Sequence, residues 1–97
     1  MRTIWKYTVP FPPHDRFTLQ IPQGARMLRV EVQHDVPCLW MFVPDTDAPK
    51  VARTYTVIGT GHPISEAAGF YVGSFHLLDG DFVGHLFTDW SDTGAGA

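Results

Sequence analysis

The sequence has one cysteine, Cys38, among 97 residues, which excludes an internal disulfide. Its place in the apolar run at 36–43 leaves a buried, inert thiol as the expectation. Charge is also sparse, at 18% of residues. The seven Lys and Arg are scattered along the chain (positions 2, 6, 16, 26, 29, 50 and 53) against ten Asp and Glu, for a formal charge of -3. No basic stripe is visible in the sequence, which argues against a duplex nucleic-acid partner. No apolar stretch approaches the ~18 residues of a membrane span. The opening MRTIWKYTVPFPP has neither an apolar h-region nor a small-residue cleavage site. The expectation is a cytoplasmic protein with no membrane partner. There is no internal repeat and no sustained 3.6-residue period, and ISEAA at 64–68 is long enough only for a helical turn.

What the chain does have is apolar material: 44% hydrophobic and 13% aromatic residues, ample for one core and unlike a disordered composition. Its length leaves no room for a second core. Residues 1–90 are expected to form a single β domain, and the small, polar SDTGAGA at 91–97 a flexible tail.

Period-two alternation carries the fold prediction. TIWKYTV at 3–9 sets Trp5, Tyr7 and Val9 on one face and Lys6 and Thr8 on the other. Its end is set by PFPP at 10–13. Residues 16–21 alternate strictly, with Phe17, Leu19 and Ile21 inward, until Pro22-Gln23-Gly24 breaks the strand. Leu28, Val30 and Val32 then alternate with Arg29, Glu31 and Gln33, and His34-Asp35 supplies a short turn. Residues 38–43 contain no polar side chain and read as a strand covered on both faces. The β-branched run 51–58 sets Tyr55 and Val57 opposite Thr54 and Thr56. The last two strands, 69–78 and 82–88, flank Asp79-Gly80, a dipeptide favoured in type I′ hairpin turns. Seven strands without room for crossover helices predict an all-β fold, a mainly antiparallel sandwich or small barrel.

Two places have chemistry. If Asp79-Gly80 is a two-residue turn, Ser74 faces His85 and His76 faces Val83, so Ser74, His76 and His85 share one face. Diagonal neighbours there lie about 7–8 Å apart, within reach of a shared ligand or proton relay; a half-exposed, solvated sheet face is the plainer interpretation. The second place is the turn Gly59-Thr60-Gly61-His62, where two glycines, a hydroxyl and an imidazole could meet a small anionic ligand, with Arg53 as the nearest counter-charge upstream. That turn lacks the phosphate-loop pattern and a following helix. One thiol and five dispersed histidines imply no structural metal, no cofactor motif is present, and no nucleophile has an assignable base and carboxylate. The apolar run 38–43 leaves a face to be covered, so homo-oligomerisation is expected.

Taken in order, the opening MRTIWKY, the Pro22-Gln23-Gly24-Ala25 turn followed by Leu28-x-Val30, the block Val36-Pro37-Cys38-Leu39-Trp40, the loop Gly59-Thr60-Gly61-His62 and the strand Tyr71-Val72-Gly73-Ser74-Phe75 resemble a family of small uncharacterised bacteriophage proteins. The resemblance runs from Arg2 to about Phe87 and implies a phage accessory protein acting in the host cytoplasm. It assigns no catalytic or binding residue. PFPP and the carboxy-terminal tail depart from the family pattern. The reading is a non-enzymatic binding module that sequesters a small, nucleotide-like host signal or binds a host protein. The alternative is a minimal enzyme using His62 or Ser74, His76 and His85.

Overall fold

The computed structural model describes residues 1–10 and 16–89. The proposed tail at 91–97, together with Trp90, lies outside them. Seven strands follow one another: β1 (Thr3–Thr8), β2 (Arg16–Pro22), β3 (Arg26–Gln33), β4 (Val36–Val43), β5 (Lys50–Gly59), β6 (Phe70–Leu77) and β7 (Phe82–Thr88). They form two antiparallel sheets, one of order β1-β4-β3 and one of order β2-β5-β7-β6. The fold is therefore all-β and a sandwich; the described strands do not close into a barrel. ISEAA contributes only a single helical turn, Glu66–Ala68, begun by the Ser65 hydroxyl accepting from the Ala67 amide.

The alternation in the sequence becomes the sandwich filling. Leu39, Met41 and Val43 of β4 meet Ile21, Tyr55, Val57, Phe75 and Leu86 of the other sheet in one buried cluster, each fully buried aliphatic side chain contributing about 1.5–3 kcal/mol. Trp5 and Tyr7 pack against it from β1, as do Val30 and Val32 from β3. At Gly84 the packing of side chains between β6 and β7 depends on a missing side chain. A Cβ there would lie 2.5 Å from the Phe75 ring, so glycine lets Phe75 and Phe82, with centroids 6.3 Å apart, lie over the strand.

Leu28 departs from the expected pattern. A bulge between Met27 and Arg29 leaves it without a partner on β4, so Met27 takes the inward place and Leu28 is 54% exposed. A bulge adds one residue to a strand and reverses its parity beyond that point.

Both hairpin turns use backbone in the left-handed region. His34 and Asp35 have φ of 52° and 63° between the paired Gln33 and Val36, the torsions of a type I′ turn. At the β6–β7 turn, Asp79 and Gly80 have φ of 55° and 90°, and the Asp81 amide donates to the Leu78 carbonyl at 3.0 Å. The expected register follows: Ser74 stands opposite His85 and His76 opposite Val83.

Strand β4 is apolar on both faces, and the two are covered differently. Pro37, Leu39, Met41 and Val43 face the core. Cys38, Trp40 and Phe42 face outward, where Cys38 is 1% exposed and donates to the Val36 carbonyl, and the Arg2 guanidinium lies 5.5 Å from the Phe42 ring centroid. No helix among the described residues is long and apolar enough to cross a membrane.

Candidate functional site

The site arises from the order of the second sheet. Strand β7 inserts between β5 and β6, so His85 has Ile58 on one side and Ser74 on the other. All three point to the outer face, because Val57, Leu86 and Phe75, their neighbours in sequence, point into the core.

Four side chains form a hydrogen-bonded row across that face. The Tyr71 hydroxyl lies 2.7 Å from Ser74 Oγ, Ser74 Oγ lies 2.7 Å from His85 Nδ1, and His85 Nε2 lies 2.8 Å from Thr60 Oγ1. A ring nitrogen that donates to one hydroxyl leaves the other to accept, so the row has two opposite polarities with the same heavy-atom positions. Chemically it is a short proton relay, or a hydrogen-bonding edge that adapts to donor or acceptor ligands. The row ends in Thr60, a hydroxyl; no carboxylate backs the imidazole as a hydrolase triad requires.

The row borders a cleft of about 340 Å³. Ile58, Ile64, Phe87 and the Tyr71 ring wall it, and the turn at 59–62 closes one end. In that turn the His62 amide donates to the Gly59 carbonyl at 3.0 Å and Gly61 has φ of 87°, a type II arrangement. The Thr60 amide donates to the Val83 carbonyl at 3.2 Å. Two amides of the turn, those of Thr60 and His62, are thereby committed within the protein. A neighbouring cleft of about 370 Å³ shares Ile58 and His62 with the first.

The two candidate places in the sequence are thus one site. Gly59, Thr60, Gly61 and His62 meet Ser74 and His85 through the Thr60–His85 bond. His76 shares the outer face but stands opposite Val83, outside the cleft lining. Arg53 does not join them. It is 0% exposed and faces inward with Val51, Tyr55 and Val57, where its charge acts on Tyr7. Burial raises the Tyr7 phenol above its usual value, and the Arg53 charge offsets part of the rise. Sequence reasoning missed Tyr71, whose bond to Ser74 depends on a bulge between Tyr71 and Gly73. Among the described residues no group of three or more His, Cys, Asp or Glu is placed to hold a metal ion.

A family model described as a domain of unknown function (DUF7352) matches residues 1–96. The chain belongs to this family. The match takes in both sheets and every residue of the site, so the site is carried on a family domain rather than on an appended segment. Comparison with curated proteins and with solved structures returned no match.

Proposed function

We propose that the protein is a non-enzymatic binding module whose cleft takes a small, flat, nucleotide-like molecule. The observation that carries this reading is the Tyr71–Ser74–His85–Thr60 row along the edge of an apolar cleft. Apolar walls take the body of a ligand and a few convergent polar groups fix its orientation. A planar heterocycle fits between Ile58, Ile64 and Phe87 with its edge against His85 and Thr60, and His62 at the mouth meets an anionic substituent. Sequestration of such a molecule in a host cytoplasm is the role this reading gives to a phage accessory protein. Isothermal calorimetry with a panel of nucleotides tests it. The expected result is binding of at least one member, abolished in His85→Ala and weakened in His62→Ala. Uniform absence of binding removes the reading.

The enzyme reading draws on the Ser74–His85 contact alone. Labelling of Ser74 by an active-site-directed fluorophosphonate would establish it. The present geometry favours binding, since Ser74 Oγ is held by Tyr71 as well as by His85.

Self-association belongs to the same proposal and draws on strand β6. It is an edge of its sheet, and it begins with Phe70 and Tyr71, 58% and 60% exposed. A second copy added along that edge would cover both rings and close the open side of the cleft. Light scattering at micromolar concentration decides it, a strict monomer being the contrary result.

A further inference from the structure

We infer that the outer face of the β1-β4-β3 sheet is a binding surface for single-stranded nucleic acid, separate from the cleft on the opposite face of the sandwich. The cations that are scattered in sequence converge here. Register places Lys6 and Arg29 on either side of Trp40, and Ile4 and Arg26 on either side of Phe42. Arg2 lies over the Phe42 ring. Four of the seven Lys and Arg therefore occupy one sheet face, and Glu31, opposite Cys38, is the acidic residue that register adds to them. The face is positive while the chain as a whole carries -3, which makes the remaining surface more acidic than the total implies.

The arrangement is more specific than a charged patch. Two successive rungs of the outer face, those of Trp40 and Phe42, carry an aromatic ring in the middle strand with a cation in a neighbouring strand, and strands lie about 4.8 Å apart. A single strand of nucleic acid presents the matching alternation, flat bases that stack on aromatic rings and phosphates that pair with Lys and Arg. An acidic peptide would use the cations and gain nothing from Trp40. The supporting contacts hold the donors in place. The Arg29 guanidinium pairs with Glu31 at 2.9 Å, and Lys6 Nζ donates to Gln33 Oε1 at 2.7 Å, leaving its charge uncompensated by that partner. Three strands span about 10 Å, a width suited to a few nucleotides and too narrow to follow a duplex groove. Overall negative charge opposes nucleic-acid binding only if charge is evenly spread, and here it is segregated by face.

The test is fluorescence anisotropy with a labelled oligodeoxythymidine, repeated across salt concentrations. Neutralising three or four phosphates of a single strand gives a slope of log K against log salt of about −2 to −3. Arg26→Gln and Lys6→Gln should each reduce that slope by about 0.7, and Trp40→Leu should weaken binding about tenfold or more. The control Lys50→Gln, on the other sheet, should leave both unchanged. These side chains, other than Trp40, are exposed, and far-ultraviolet circular dichroism verifies the fold of each variant. Absence of binding at low salt overturns the inference. So does binding that ignores the Arg26 and Lys6 variants, or equal competition by polyglutamate with no dependence on Trp40, which would make the face a docking surface for an acidic protein.

Discussion

Ser74 Oγ and His85 Nδ1 lie 2.7 Å apart on adjacent strands and directly opposite each other in register. That one contact joins a hairpin to a loop from a third strand, because His85 continues to Thr60 through its other nitrogen. Replacing Ser74 by Ala removes the bonds to Tyr71 and His85 together. Both sit on a partly solvated face, so stability should fall by only about 1 kcal/mol, while ligand affinity falls with it through the loss of an oriented imidazole. Denaturant melts and calorimetry on the same sample check the two effects.

Gly80 should tolerate substitution less well than its exposed position suggests. Its φ of 90° is open to glycine and costly for a β-branched residue, so Gly80→Val should lose on the order of 1 kcal/mol or more. Gly84→Ala should lose about 1–3 kcal/mol for a different reason, the collision of the new methyl with the Phe75 ring. Urea titration of both variants measures the two costs.

Tyr7 predicts an alkaline limit to stability. Its phenol is raised above the ordinary value of 10.0 by burial, so in the unfolded chain it gives up its proton first. Above that pH the unfolded state binds fewer protons than the folded one, and stability declines as pH rises through the interval between the two values. Below it the group contributes no slope. Tyr7→Phe should flatten the decline, as measured by urea melts at matched pH values on both sides of 10.0.

Arg53 should behave as a core residue. Arg53→Met keeps the stem and removes a guanidinium that interacts within the fold, and groups left without their partner cost about 1–3 kcal/mol. It should also raise the Tyr7 phenol further, since the charge that offsets part of its shift is gone. Ultraviolet titration of the phenol and a thermal melt follow the two consequences. His62→Ala should instead alter ligand affinity and leave the melt nearly unchanged, whereas a side chain at Gly61, with φ of 87°, should carry the same backbone cost as one at Gly80.

Much of this is legible in residue order. Alternation at 16–21 and 51–58 marks the inward faces, and Asp79-Gly80 sets a register from which Ser74 opposite His85 follows by counting. The same alternation at 51, 53, 55 and 57 turns Arg53 inward, so strand parity outweighs the charge that suggests a ligand contact. Leu28 and Tyr71 are obscured for one physical reason, since a bulge adds a residue that no propensity announces. The division into two sheets, with β7 between β5 and β6, depends on pairings distant in sequence. Those pairings bring Thr60 to His85, and they collect Arg2, Lys6, Arg26 and Arg29 on one face although no stretch of sequence is basic.

The most direct test of the binding proposal is a titration of the isotopically labelled protein with nucleotides, followed by backbone amide NMR. The account predicts chemical-shift changes concentrated at Thr60, Gly61, His62, Ser74 and His85, larger than any at Trp40 and Phe42 on the far sheet, with residues 18–22 at the β2 edge undisturbed. Shifts absent from that cluster, or confined to the far sheet, would contradict it.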